Sequence, residues 1–383
     1  MKYLAYYDID ENRTDDRSFV LSARNKVDYI ISVISEKTDV QIISASGVRG
    51  KSTAKGKTIN ISDKVELRLF TSIGRKNRVI SLISTLYMKL QLFVYLLLNT
   101  KPGETIVVYH SLGYCSLVSL VKRMKKIRLI LELEELYGDV TCRKRDKARE
   151  LRLAKQADGF IFPTQLLDDA VNTKGKPSVI IHGTYSVEAD RQCNVFAAED
   201  SDRSRNVIHC VYAGTFDPRK GGFEAASAAE YLPANYHIHI LGFGSEREIE
   251  NMKEHVAQTA KRSAARVTFD GLLSGEDYIR FIQSCDIGLS TQEPKASFNA
   301  TSFPSKILSY LSNGLQVVSI RIPAIENSAV GKKLNFYDEQ SPEEIARAIL
   351  AVNNNNPDGR ETIDILDKKF RTEVFRLLDL RVE

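Results

Sequence analysis

Tryptophan is absent from the 383 residues, cysteine and methionine number five and four, and there are six histidines. Each shortage removes a class of function. Cys115, Cys142, Cys193, Cys210 and Cys285 are odd in number, scattered and without a Cys-x-x-Cys pair. They read as reduced thiols, neither a disulfide framework nor zinc ligands. The opening MKYLAYYDIDENR has no signal-peptide run, so a cytoplasmic location is expected. Without Trp, and without aromatics clustered among the basic residues, the chain lacks the stacking platform of a single-strand binder, and no nucleic-acid partner is expected. The most apolar stretch, Leu82 to Leu98, is interrupted by Lys89 and Gln91 and is marginal for spanning a bilayer. It is read as a buried helix, with an interfacial helix as the alternative.

What remains is an ordinary globular composition, 43% apolar and 27% charged, long enough for two or three domains. The net charge of +5 is uneven. Residues 1–170 hold 29 Lys+Arg against 20 Asp+Glu, and the remainder 25 against 29. A basic first half is either a solvated surface or a site for an anionic partner such as a membrane surface or a lipid diphosphate. Short β-branched runs alternate with helical patterns throughout, the mark of a parallel α/β fold. Strands are expected at Tyr3–Tyr7, Val40–Ser44, Glu66–Phe70, Thr105–Tyr109, Arg128–Leu131, Gly159–Phe162 and Ser178–Ile181. A polar stretch, 186–206, reads as a linker between a domain over 1–185 and a second over 207–360. A second alternation follows, with strands at Val207–Tyr212, Tyr236–Leu241, Arg266–Phe269, Ile287–Ser290 and Gln316–Ile320. A last helix falls within 361–383.

The stretch from Asn299 to Ile320, NATSFPSKILSYLSNGLQVVSI, carries the most chemistry. It reads as a loop, a helix opened by Phe303-Pro304-Ser305-Lys306, a stop at Gly314 and a buried strand. Pro304 fits the first helical turn, where its missing N–H is harmless. Ser305 and the N–H groups behind it, with the Lys306 cation, suit an anion at the positive end of the helix dipole.

This stretch resembles the donor-binding motif of GT-B glycosyltransferases of family 4 (glycosyl transferases group 1). Three other segments resemble that family in order and spacing: VYAGTFDPRKGG (Val211 to Gly222), LGFGS (Leu241 to Ser245) and VTFDGLLSGEDYIRFIQSCDIGLS (Val267 to Ser290). The resemblance implies two Rossmann-like domains facing a cleft, the last helix packing back on the first domain. It also implies transfer of a sugar from a nucleotide-diphosphate donor, with retention of configuration, to a saccharide or lipid-linked acceptor, as in bacterial surface polysaccharide assembly. Lys220 and Lys306 would stabilise the departing diphosphate, and His110 would contact the donor sugar. Gly214, Thr215, Arg219, Gly221, Gly244, Asn299, Thr301, Ser302, Phe303, Pro304, Ser305 and Ser309 would line the donor site. Thr215 stands where the family has Arg. Thr301 and Ser309 stand where it has a pair of Glu residues. Those losses support the alternative of a non-catalytic GT-B scaffold or binding protein.

In the first domain, Glu132, Glu134 and Glu135 follow a strand, where carboxylates could bind acceptor hydroxyls or act as a base. His182, in IHGTY, replaces the family's strand-end Asn beside the cleft, on the acceptor side. A UDP-sugar is the expected donor, with no metal and no bound cofactor. Weak contact with the inner face of a membrane through the basic first domain is also expected. Three other patterns are discounted. SGVRGKST (Ser46 to Thr53) lacks the first Gly and the following helix of a P-loop. Asp8-Ile9-Asp10 reads as a plain loop. His237 and His239 share one strand face, but no third metal ligand is near them in sequence.

Overall fold

The computed structural model describes residues 1–383 other than 11–14, 20, 138–142, 192–194, 197–206, 297–298, 300–301, 353–357 and 382–383. Thr301, Cys142, Cys193 and most of the expected linker lie outside the described residues. The chain divides into two units, Met1–Ile181 with Lys369–Glu383, and His182–Lys368.

The first unit is built on eight strands: β1 (Lys2–Ala5), β2 (Val40–Ser44), β3 (Lys57–Ser62), β4 (Val65–Leu69), β5 (Thr105–Tyr109), β6 (Arg128–Glu132), β7 (Gly159–Phe162) and β8 (Ser178–Ile180). Their order is β3-β4-β2-β1-β5-β6-β7-β8. Only β3 runs antiparallel to its neighbour. Helices α1 (Leu21–Ser35), α2 (Arg78–Asn99), α3 (Cys115–Lys125), α4 (Lys144–Ala154) and α5 (Gln165–Val171) connect the strands. β1 and β7 are buried along their whole length, as strands covered on both faces must be. The strand β3 follows Ser46 to Thr53, so the P-loop reading fails for want of a helix. Buried Arg17 holds that region by donating to the carbonyls of Ser46 (2.9 Å), Lys55 (3.1 Å) and Phe70 (2.9 Å). Asp8 and Asp10 accept backbone N–H bonds from Asp10 and Asp15, which is loop capping.

α2 corrects the expectation of a buried helix. Asn77 caps it by accepting from Ile80 N at 2.9 Å. Ser84, Met88, Leu92 and Leu96 form its one buried row. Leu82, Leu86, Leu90 and Leu98 are 58–78% exposed, with Val79, Ile83, Tyr87 and Val94 beside them. By length and apolarity alone the helix is long enough to cross a membrane.

The second unit repeats the plan with six parallel strands: β9 (Ile208–Thr215), β10 (Tyr236–Phe243), β11 (Arg266–Gly271), β12 (Ile287–Ser290), β13 (Gln316–Ile320) and β14 (Asn335–Tyr337). Helices α6 (Gly222–Ser227), α7 (Glu246–Ala260), α8 (Gly275–Gln283), α9 (Lys306–Ser312), α10 (Pro323–Glu326) and α11 (Pro342–Leu350) join them. The order β11-β10-β9-β12-β13-β14 reverses direction at β9, giving a switch point between β9 and β12. Helix α9 begins at Lys306, two residues beyond the expected Pro304. β14 and α10, short and without clear periodicity, were not legible in the sequence.

The last helix, α12 (Gly359–Leu377), passes from one unit to the other. In the first unit Phe370 packs on Tyr29, with ring centroids 5.6 Å apart, and Arg128 donates to the Leu377 carbonyl at 2.7 Å.

The two faces of α2 make a direct test. Leu92→Ala should destabilise the first unit by about 2–5 kcal/mol, and Leu90→Ala by no more than about 0.5 kcal/mol. Urea unfolding of both variants checks this; equal losses would mean that the helix is buried on both sides.

Candidate functional site

In open α/β sheets, ligands bind beyond the carboxyl ends of the strands at the switch point. In the second unit that point is physically opened. β9 pairs with β12 only at Cys210 and Val211, and beyond them the strands part. Tyr310 of α9 enters the gap. Its hydroxyl accepts the Ala213 N–H at 2.8 Å, satisfying a strand donor that would otherwise be lost. A Cβ on Gly288 would fall 2.3 Å from the Tyr310 ring, so β12 needs glycine there.

One turn before Tyr310, on the same helix face, stands Lys306. Its Nζ lies 3.9 Å from the centroid of the Tyr212 ring and beside Gly214, 3.1 Å from where a Cβ would be. The residue as a whole is half-buried, but Nζ is shielded from solvent and has no hydrogen-bond partner among the described residues. Burial, then the charge of Lys220, pulls Lys306 down to about 7 from the ordinary 10.5. A shielded ammonium stabilised only by a ring face is a strong attractor for an anion.

The loop after β9 is tied around the same point. Tyr212 Oη donates to Thr215 O (2.8 Å) and lies 3.2 Å from Lys220 O, drawing the loop ends together. Gly221 sits at φ 76° with its Cα against Thr291, whose Oγ1 donates to Gly221 O at 2.6 Å. A Cβ there would lie 1.5 Å from the Thr291 carbonyl oxygen. Gly214, Thr215, Lys220, Gly221 and Lys306 are thus gathered at the switch point. Tyr212 and Tyr310, which organise them, were missed; a Tyr within VYAGT and another within SYLSNG carry no distinguishing signal.

Other expected residues are engaged elsewhere. Arg219 is paired with Asp217 at 2.6 Å on an exposed turn. Asn299 uses its amide within its own loop, accepting from Gln292 (2.6 Å) and donating to Glu293 O (2.7 Å). Ser309 does not present an open hydroxyl: its Oγ lies 3.1 Å from the Oη of half-buried Tyr278. Gly244 packs against Phe216 and the capping residue Glu248. Ser302 and Pro304 are half-buried, and Ser305 is exposed at the start of α9 without a side-chain capping bond. His182, expected on the acceptor side, belongs to the second unit. It stacks on Phe303 at 4.7 Å, and its Nε2 accepts from Ala329 N at 3.2 Å.

In the first unit, polar groups also collect at the strand ends. His110, just past β5, is 2% exposed, and its Nε2 is 2.7 Å from Glu150 Oε1, which also accepts from Tyr137 N at 2.9 Å. Nδ1 of His110 has no partner among the described residues and is the atom left for a ligand. Glu132 ends β6 fully buried. Tyr3 Oη donates to it, and burial, then the charge of Glu134, pushes it up to about 7. Glu134 pairs with Lys26 at 2.5 Å, and Lys26 also donates to Ile181 O at 3.0 Å. Glu135 is half-buried beside them. Tyr3, Lys26 and Glu150 complete this set and come from segments far apart in sequence.

Residues 208–355 match the family model of glycosyl transferases group 1. No curated protein matches the chain in sequence. Solved structures similar in fold include the trehalose 6-phosphate synthase of Burkholderia multivorans, with TM-score 0.69 and 11% identity over 99% of this chain and 95% of that one. The sucrose-phosphate synthase of Thermosynechococcus elongatus gives 0.65 and 13%, over 91% and 90%. Anabaena HepE, in complex with UDP and glucose, gives 0.64 and 12%, over 99% and 98%. The chain therefore has the GT-B fold. Its second unit carries a glycosyl transferases group 1 domain.

Because Lys306 titrates near neutrality, anion binding should be linked to a proton. A bound diphosphate favours the ammonium, so UDP should bind with proton uptake at pH 7–8. Its affinity should fall above pH 7 by up to about tenfold per pH unit. Calorimetry in buffers of different ionisation heat reads both. Lys306→Met should remove the pH dependence and weaken UDP by roughly ten- to a hundredfold; unchanged UDP affinity in that variant would remove Lys306 from the site.

Proposed function

We propose that this protein transfers a sugar from a nucleotide-diphosphate donor, with UDP as the nucleotide, to a lipid-linked acceptor at the cytoplasmic face of a membrane. The observation that carries the donor half is the Lys306 ammonium at the β9–β12 switch point, shielded from solvent and without a hydrogen-bond partner among the described residues, with Lys220 near it. As the bond between the anomeric carbon and the phosphate oxygen breaks, negative charge grows on the leaving diphosphate. Cations already fixed there stabilise that charge without reorganising at the moment of reaction. Two lysines and backbone donors supply this without a metal at the diphosphate. The UDP and glucose held by Anabaena HepE support the same donor chemistry. Retention is the expected outcome, in keeping with the retaining transfer described for a trehalose-6-phosphate synthase of similar fold.

The first unit is the acceptor side of this reading. Glu132, Glu134 and Nδ1 of His110 offer acceptors for sugar hydroxyls. The exposed apolar row of α2 argues for a lipid-linked acceptor. Leu82, Leu86, Leu90 and Leu98 face out, and Arg75, Lys76 and Arg78 stand at the amino end of the helix. Apolar side chains with basic flanks are the pattern of a helix lying in the interface of an anionic bilayer.

Two measurements test the proposal. UDP-sugars offered with polyprenyl-diphosphate-linked saccharides should give transfer, and Lys220→Ala should lower kcat/KM by at least tenfold with little change in melting temperature. Binding of UDP without turnover of any donor would favour the non-catalytic scaffold instead. Sedimentation with anionic vesicles should show binding that survives high salt and is lost in the Leu82→Ser, Leu86→Ser, Leu90→Ser triple variant. Loss of wild-type binding in high salt would reduce the contact to surface charge alone.

A further inference from the structure

The histidine pair set aside in the sequence gains a third member in the fold. β9 and β10 are parallel neighbours in which His209 is the register partner of His237. Residues paired across a ladder project to the same side of the sheet, and so do residues two apart on one strand. His209, His237 and His239 are therefore on one face, and all three are buried. One ring nitrogen from each lies within 4.8 Å of the others. His209 Nδ1 and His239 Nε2 approach to 2.9 Å, and the rings of His237 and His239 are 3.8 Å apart.

We infer that His209, His237 and His239 form a binding site for a divalent transition metal ion of the zinc class. The outer nitrogens of the cluster are already oriented. His237 Nε2 is 3.0 Å from Thr268 Oγ1, so Nδ1 is the nitrogen it offers. His239 Nδ1 is 3.3 Å from Asp270 Oδ2, which leaves Nε2 for the metal. Thr268 Oγ1 in turn donates to Asp270 Oδ2 at 2.8 Å, fixing the carboxylate. A carboxylate behind a ligating imidazole sets its tautomer and raises its basicity. Tetrahedral zinc with bonds of about 2.0–2.1 Å holds its nitrogens roughly 3.3–3.4 Å apart, between the closest pair here and the widest.

Aromatic rings close around the cluster. Phe196 stacks on His209 at 4.2 Å and on His239 at 4.5 Å, and Phe281 meets His239 edge-on at 5.2 Å. These rings shield the cluster from bulk water. Asp270, with a side chain 22% exposed, marks the side open to an entering ion. The three imidazoles supply three tetrahedral positions and water the fourth. His209 lies five residues before Gly214, about 16 Å along β9, so the ion is remote from the diphosphate site and clamps the sheet rather than acting in transfer.

The test uses the full chain stripped with a chelator and titrated with Co²⁺, then Zn²⁺. One equivalent of Co²⁺ should bind with the intense visible absorption of a tetrahedral ion, be displaced by Zn²⁺, and raise the melting temperature. His237→Gln and His239→Gln should abolish the absorption. Should either fail to fold, Asp270→Asn, at the partly exposed position, should fold and weaken Zn²⁺ by about ten- to a hundredfold. UDP affinity should be the same with and without the metal, which separates this site from the donor site. Absence of Co²⁺ absorption in the wild-type chain, or an equivalent of metal that persists in both histidine variants, would overturn the assignment.

Discussion

The second unit depends on the parting of β9 from β12 after Val211. A parallel pair that stops bonding leaves backbone donors without partners, and such groups must be satisfied or solvated. Here the Tyr310 hydroxyl takes the Ala213 N–H. That one bond brings α9 into the gap and fixes its rotation. Lys306, four residues earlier on the same face, then lies over the ring of Tyr212. Desolvating the ammonium against a ring lowers its affinity for its proton and raises its appetite for an anion, two effects of the same missing water.

The first unit treats buried charge differently. Glu132, Glu134, Lys26, Tyr3, His110 and Glu150 are matched among themselves near the carboxyl ends of β1, β5 and β6. A fully buried carboxyl pushed up to about 7 shares its site with a second carboxyl that holds the nearby lysine. Cutting one partner would strand the others, so these residues are coupled in stability as well as in chemistry.

The α/β class, the strand alternation and the glycosyl transferases group 1 motif were legible because each rests on local pattern: β-branched runs, glycine turns and the Phe303–Lys306 helix start. The burial of α2 was misread because hydropathy records how apolar a segment is, not which side is covered. Only one row, Ser84, Met88, Leu92 and Leu96, meets the core. Arg219 and Asn299 were assigned by position in a motif, whereas Asp217 and Gln292, next to them in space, had already claimed their polar atoms. Tyr310, Lys26 and His209 matter through partners 28 to 155 residues away in sequence, a separation that no motif spans.

The chain crosses between units at Ile181–His182 and again at Lys368–Lys369, so the first unit is assembled from both termini. Tyr29, Glu36 and Arg128 wait for Phe370, Arg371 and Leu377. The first unit can finish only by closing a loop that contains the whole second unit, with Arg128 meeting Leu377 from 249 residues away, whereas the second unit closes within one unbroken segment. Closure over so long a span is slow, so the second unit should complete its core ahead of the first.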